Sequence, residues 1–575
     1  MNNPLNFYQD QLVELEKKFT ALKKLSIQVS IIRFIIFIGT GFLGYYFFDN
    51  TVLLLICLFI GISVFIFLIV KHVNLKRRKD IVSSKIKINT TEISVLNGDF
   101  KDLETGIEFK DPKHFFSNDI DLFGKGSFYQ FINRTATKDG KKELAKLLLA
   151  NNTSDILDRQ EVIKELSKKI LWRQHFSAIA SLVTVKNDSQ VIVDWMMNYK
   201  LKFSKNSYYL TRIFSAISIV LVGLLIAKLI PFFVIVTWFF LGLFISGRFL
   251  KTTQQLYNET DKVREIFKQY HLLLNEIESV SFKSKNLLSR QETIQSENKK
   301  ASHIFKQFSK ILDAFDQRNN IIIAVFGNGL FLSELFNASR TENWISTYKH
   351  TVQKWFEVIT FFDAYNSLGN YGFNHKQFAY PKIVKGNDTI LAQDLGHPLL
   401  KLDKRIDSDL DVQREQFFIV TGANMAGKST FLRTVALHIV MANVGLPVCA
   451  KESQYRPIKL ITSMRTTDSL TDDSSYFFSE LTRLKFVVDT VENDSNYFII
   501  LDEILKGTNS TDKAIGSRKF VEKLVKLNAT GIIATHDLSL TEIESELEAV
   551  KNYFFDAQII NNELYFDYKL KEGKF

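Results

Sequence analysis

Residues 417–430 read FFIVTGANMAGKST, and the rest of the chain is organised around this stretch. Phe417 to Val420 is an uninterrupted apolar run, which reads as a buried strand. The chain then turns through a loop from Gly422 to Gly427 and enters a helix at Lys428-Ser429-Thr430. This is the pattern G-x-x-x-x-G-K-[ST] in its strand, loop and helix setting, a phosphate-binding loop. Consecutive backbone N–H groups and a helix N-terminus surround phosphate oxygens, while Lys428 supplies positive charge and Ser429 a hydroxyl for magnesium. Only a glycine-permitted backbone wraps a ligand so closely, which is the reason for Gly422 and Gly427.

Two further strand ends belong with the loop. Asn496–Leu501 reads NYFIIL and ends in Asp502-Glu503. An acid there holds magnesium through water, and the adjacent Glu503 can polarise an attacking water, as phosphoryl transfer requires. Thr530 to Ala534 forms a third strand and delivers Thr535-His536-Asp537, with His536 placed to sense a γ-phosphate or hold the water. Parallel strands ending in these motifs put the ligand at the carboxyl edge of the sheet.

The motifs together carry a family resemblance. TGANMAGKST, LDEILKGTNSTD over Leu501 to Asp512 and IIATHD over Ile532 to Asp537 resemble the MutS class of ATPases within the ABC-type superfamily. Gly396-His397-Pro398-Leu399 resembles the short motif before that family's phosphate loop. Asp121-Leu122-Phe123, Asn133-Arg134-Thr135 and Gly140 resemble the start of its core and lever, and Glu357 to Leu368 the lever's return. The match covers most of residues 115 to 560 and is specific mainly at the ATPase motifs.

The resemblance implies ATP and Mg2+ as cofactors. It assigns Lys428, Ser429 and Thr430 to the phosphates, Ser429 and Asp502 to magnesium, Glu503 to activating water and His536 to the switch position. Asn424 matches the family's asparagine within the loop, and Ser475 its signature serine, which reaches the nucleotide of the opposite subunit. Composite ATP sites in a homodimer follow, with nucleotide state coupled to lever and membrane-helix geometry. Ala426 stands where glycine is usual, Asp473 replaces a glycine before Ser475, and Lys506 occupies a position usually arginine or glycine-rich. The carboxylate of Asp473 implies slow hydrolysis or an altered dimer. The family's mismatch-reading domain and most of its connector have no room before residue 115, so specific mismatch recognition inherits no residues.

Composition bounds the remainder. At 575 residues the chain needs more than one core, and 73 basic against 62 acidic side chains give a formal charge of +11. That charge suits nucleic acid or anionic lipid and does not choose between them. Two cysteines, Cys57 and Cys449, lie far apart and in no metal-ligand spacing. Residues 10 to 28 have helical apolar spacing among Lys17, Lys18, Lys23 and Lys24. Two apolar segments follow, about Ser30 to Phe48 and Thr51 to Val70, each long enough to cross roughly 30 Å of hydrocarbon as a helix. Basic residues flank both ends, Lys71, Lys76, Arg77, Arg78 and Lys79 on the far side, which predicts cytoplasmic ends and a short external turn. Tyr208 to Phe249 repeats the pattern as a second hairpin. A third apolar segment, Asn320 to Phe336, is interrupted by Gly327, Asn328, Gly329 and Glu334 and reads as core.

The expected fold class is an α/β P-loop ATPase domain of MutS/ABC type joined to an all-helical core and lever with two transmembrane helical hairpins. The expected divisions are an amphipathic helix (1–29), hairpin 1 (30–70), a linker, or small juxtamembrane element with a strand or two (71–114), core and lever (115–207), hairpin 2 (208–249), core and lever again (250–380) and the ATPase domain (381–575). Residues 154 to 180 are expected as one helix and 251 to 318 as a solvent-facing helical pair. The favoured activity is Mg-dependent ATP hydrolysis by a membrane-anchored dimer, with duplex or branched DNA a candidate partner beside the bilayer. The alternatives are a nucleotide-gated membrane scaffold with little turnover, and an ABC-like transport or membrane-remodelling ATPase. The hairpins carry few ionisable groups and offer no evident substrate path, which weighs against transport.

Overall fold

The computed structural model describes residues 3–182, 189–296, 299–465, 476–560 and 563–574. The amino-terminal region is one long antiparallel pair, α1 (Pro4–Tyr46) and α2 (Thr51–Leu96). Asn3 caps α1 with Pro4 in the first turn, and Asn50 caps α2 through Leu53 N. Gly61 admits Thr40 from the facing helix, since a Cβ at Gly61 would lie 2.3 Å from Thr40 Oγ1. Phe34, Phe37, Phe59 and Phe67 all remain exposed, the outward surface of a pair that faces hydrocarbon.

Two boundaries expected from sequence are not kept. The amphipathic helix and first span are one helix, and α2 runs unbroken through the expected linker to Leu96, so residues 81 to 96 hold no strand. The alternation Ile86-Lys87-Ile88-Asn89 misleads because the inward positions of this stretch are partly polar. Asn89 and Glu92 are buried there, three residues apart on one helix face. Asn89 exchanges amide hydrogen bonds with Gln174, at 3.1 and 3.3 Å. Glu92 accepts from Arg134 Nε at 2.5 Å and from Asn374 Nδ2 at 2.8 Å. Tyr8 of α1 donates to Asn374 Oδ1 at 2.8 Å, so the ends of both helices remote from their connecting turn are fastened to the core by one buried polar network.

The second hairpin is α3 (Lys205–Ile226) and α4 (Phe232–Ser279). Phe214 stacks on Trp238 at 4.4 Å, and Trp238 Nε1 donates to Ser218 Oγ at 2.8 Å. Among the described residues, α1 to α4 are the four helices long and apolar enough to cross a membrane, which supports a multi-pass protein associated with the bilayer. Beyond the span, α4 turns its inner face to the core. Phe267 meets Phe305, Phe308, Trp344 and Phe356, so residues 251 to 318 are half core rather than a solvent-facing pair. The expected helix over 154 to 180 breaks at Lys169 into Ile156–Lys168 and Ile170–Ala180.

The third apolar segment is not core. It forms a short helix, α5 (Ile321–Phe331), bent by 83° from the following α6 (Ser333–Asn374), and most of its apolar side chains are exposed. α6 carries the chain back to the carboxy-terminal α/β domain. Its Gly369 and Gly372 pack against Leu166, Ile163 and Ser167 of the helix Ile156–Lys168. The carboxylate of Asp363 on α6 accepts from Ala136 N, Thr137 N and Thr137 Oγ1.

The carboxy-terminal domain has a six-stranded sheet of β1 (Phe417–Gly422), β2 (Lys459–Ser463), β3 (Tyr497–Asp502), β4 (Thr530–Ala534), β5 (Val550–Ile560) and β6 (Glu563–Glu572). Its order is β6-β5-β1-β4-β3-β2, parallel from β5 to β2, with β6 antiparallel at the edge. A separate four-stranded sheet holds Lys382–Ile383, Glu452–Tyr455, Asp388–Leu395 and Ser408–Gln413. Every residue of β1 is buried, as a central parallel strand covered on both faces requires. The helix after the loop, α7 (Lys428–Val444), ends where Arg159 donates to Asn443 O at 2.7 Å. The core is thus joined to the far end of the phosphate-loop helix. A second junction uses Asp119, which accepts from Thr462 Oγ1, Met464 N and Arg465 N.

Candidate active site

Register brings the motif residues together. Ala534 of β4 pairs with Val420 on one side and Asp502 on the other, so all three strands end at one level. Just beyond, Thr535 N donates to Val420 O at 3.0 Å and Glu503 N to Ala534 O at 2.9 Å. The residues that follow the three strands therefore share the carboxyl edge of the sheet.

The loop conformation depends on its glycines. Gly422 has φ 143°, and a Cβ there would lie 2.8 Å from Phe555 O. Gly427 has φ 105° and faces the Tyr568 ring, 3.1 Å from where a Cβ would sit. Met425 takes φ 67° at the exposed tip, whereas Ala426 is not among the positive-φ residues, so its side chain in place of glycine brings no strain.

Lys428 Nζ donates to Gly422 O at 2.8 Å and Ala423 O at 3.0 Å, and lies 3.3 Å from His536 Nε2. Burial pulls the Lys428 ammonium below its ordinary pKa, against the opposing pull of Glu503 and Asp502. Ser429 Oγ donates to Asp502 Oδ2 at 2.7 Å, which aligns a hydroxyl and a carboxylate on one point. Burial raises the Asp502 pKa, opposed first by the Ser429 hydrogen bond. Glu503 sits at φ 49°, with Oε1 2.7 Å from His536 Nε2 and Oε2 3.8 Å from Lys506 Nζ.

These groups border a cavity of about 450 Å3. Asn424, Gly427, Lys428, Ser429, Thr430, Glu503 and His536 all line it, so the sequence-predicted residues meet in one place with Asp502 directly behind Ser429 and Gly422 bonded to Lys428. Ser475 and Asp473 lie outside the described residues. The cavity's other wall was not anticipated. It holds Leu400, Ile406, Phe431, Phe555 and Tyr568, with His397 from the GHPL motif. Burial, with Arg433 acting in the same direction, lowers the His397 pKa to about 4. Tyr568 comes from β6, whose alternating sequence carries no motif, and only sheet pairing folds it back over the loop.

The donor set fits a magnesium nucleotide. Among the described residues no trio of His, Cys, Asp or Glu forms a metal cage. A carboxylate beside a hydroxyl, completed by ligand phosphates and water, is how magnesium is ordinarily held next to a nucleotide.

A glycine-started loop, a helix N-terminus, a lysine and an acidic strand end on a parallel sheet define the phosphate-loop class of nucleotide-binding domain. More narrowly, the family model described as MutS domain V matches residues 418–575. Similar relatives include DNA mismatch repair protein MutS of Clostridium tetani, 30% identical over 38% of this chain and 25% of its own length. MutS protein homolog 4 of Homo sapiens is 34% identical over 32% of this chain and 21% of its own. DNA mismatch repair protein MutS of Protochlamydia amoebophila is 29% identical over 50% and 33%. The carboxy-terminal domain is therefore a MutS domain V-like ATPase domain, homologous at low identity to MutS-family proteins, on a chain with four candidate membrane helices. The chain spans only about a fifth to a third of the length of these relatives.

Proposed function

We propose that this protein is a membrane-anchored, MutS-like, magnesium-dependent ATPase whose cytoplasmic heads pair as a homodimer and whose nucleotide state moves the lever and the membrane helices. The observation that supports this best is the convergence of Lys428, Ser429, Asp502, Glu503 and His536 on one cavity at the carboxyl edge of the sheet. When bound, magnesium ATP supplies the reacting phosphoryl group and its charge. Lys428 and the loop N–H groups hold that charge, while Ser429 and Asp502 hold the metal. Glu503 orients and polarises the attacking water, and His536 fixes the carboxylate that does so. The apolar wall of Phe431, Phe555 and Tyr568 suits the base and sugar. By the family resemblance, the signature serine matched by Ser475, outside the described residues, is the group a second copy would bring to each site.

A second reading, a nucleotide-gated scaffold with slow turnover, is favoured by one contact. Lys506 stands 3.8 Å from the carboxylate that would activate water, so an ammonium group already occupies one side of it. ATP turnover of the detergent-purified protein, alone and with linear, mismatched and branched DNA, tests both readings. Turnover lost in Lys428→Ala supports the ATPase. DNA-stimulated turnover extends the function to nucleic acid, whereas equal rates without DNA retention remove DNA as a partner.

A further inference from the structure

We propose that α5 (Ile321–Phe331) is a re-entrant wedge, inserted among the acyl chains of the bilayer leaflet nearest the ATPase domain, alongside the second hairpin. The proposal rests on the membrane reading of α3 and α4, not on catalysis. Ile321, Ile322 and Phe326 are 79%, 69% and 58% exposed, far beyond what a helix in water leaves uncovered. At 1.5 Å per residue its 11 residues extend about 16 Å, half of a hydrocarbon core, so it inserts without crossing. Its two flanks return to the same side. Arg318 before the helix lies 3.3 Å from Glu334 after it, and Thr253 of α4 donates to the same carboxylate at 3.2 Å.

The backbone is finished as hydrocarbon demands, where an unpaired terminal N–H or C=O has no water to turn to. At the start, the Asn320 side chain accepts from Ile322 N and Ile323 N. At the end, Ser218 Oγ donates to Leu330 O at 2.5 Å and Ser215 Oγ to Phe331 O at 3.2 Å, both from α3. The corner itself is built. Leu332 sits at φ 49° with its side chain fully buried, and Asn328 Oδ1 accepts from Glu334 N while Asn328 Nδ2 donates to Glu334 Oε1. Such a left-handed leucine persists only where its surroundings hold it.

The occupant of the exposed face is lipid, because that face continues a surface already assigned to lipid. A Cβ at Gly242 of α4 would lie 2.2 Å from Gly329 O, and Phe239 of α4 packs on Phe326 at 5.8 Å. Gly242 and Phe239 belong to the spanning part of α4, so α5 lies at bilayer depth.

The test uses full-length protein in liposomes without nucleotide. Environment-sensitive fluorophores are placed on Ile321→Cys and Ile322→Cys in a Cys57→Ala, Cys449→Ala background, with Lys519→Cys on the ATPase surface as the water-exposed control. Doxyl-labelled lipid is expected to quench both α5 labels about two-fold or more strongly than the Lys519→Cys label, as insertion into the acyl region requires. Quenching of the α5 labels by aqueous iodide equal to that of the Lys519→Cys label overturns the proposal. Protection from both quenchers means that protein, such as a second copy, covers α5, and overturns it as well. ATP turnover is measured separately on the same samples, so failure of the wedge leaves the ATPase reading standing.

Discussion

Glu503 is held by an imidazole and an ammonium group with opposite consequences. His536 at 2.7 Å points one carboxylate oxygen, while Lys506 at 3.8 Å competes for the other. Replacing Glu503 by Gln is expected to lower ATP turnover by about 10²–10⁴-fold and to leave ATP binding in place, since general-base assistance is worth that much. Single-turnover and equilibrium-binding measurements separate the two effects. Lys506→Ala should raise turnover by a few-fold; an unchanged or lower rate removes the proposed restraint. Gly427→Ala combines a φ of 105° with a Cβ 3.1 Å from the Tyr568 ring. It should cost about 1–2 kcal/mol in strain and weaken nucleotide binding roughly ten-fold. Isothermal titration on the purified protein reads this directly, and full affinity would mean that the loop relaxes without cost.

Among the elements, α2 does what neither a linker nor a strand could do. It carries Glu92 out of the membrane region to a site where it is 1% exposed and bonded to Arg134 and Asn374. Glu92→Ala strips the carboxylate partner from a mostly buried arginine, a change that ordinarily costs about 3–5 kcal/mol. Its denaturation midpoint should fall accordingly, and a change below about 1 kcal/mol would show that α2 docks through apolar contacts alone. The corner between α5 and α6 responds differently. Leu332→Gly relieves the left-handed backbone but empties a fully buried side-chain site, so destabilisation should dominate, by about 2–4 kcal/mol.

Across the whole molecule, the phosphate loop and the membrane are linked by packed helices rather than by a flexible tether. α7 meets the helix Ile156–Lys168 at Arg159 and Asn443, that helix meets α6 at Gly369 and Gly372, and α6 starts from the corner beside α5. Acid also acts on the molecule as a whole. His271, His375, His397 and His438 are each pushed down to about 4 by burial. Their unfolded pKa is about 6.5, so the stability they represent is present above that value and is lost as pH falls through about 4. Asp363 works the other way: burial raises it to about 6, so its ionised form penalises folding above that pH and the penalty lifts on acidification. Glu278 and Asp502 are raised in the same sense as Asp363, and His114 is lowered with the other imidazoles; the depressed histidines outweigh the raised carboxylates, and the thermal midpoint in detergent should be several degrees lower at pH 5 than at pH 7. An equal or higher midpoint at pH 5 would mean that these imidazoles are protonated in the folded protein.

The sequence by itself determined the phosphate loop, the acids at the end of β3, the histidine after β4 and the four membrane-length apolar segments. Each is a local signal, because loop chemistry and hydrocarbon thickness both act on residues close together in the chain. Tertiary structure alone decided that Tyr568 covers the loop, that Glu92 docks α2 and that α5 lies open rather than inside the core. Burial of a polar side chain and exposure of an apolar one are properties of what packs alongside. For these residues the neighbours come from helices and strands remote in the sequence, so local spacing held no trace of them.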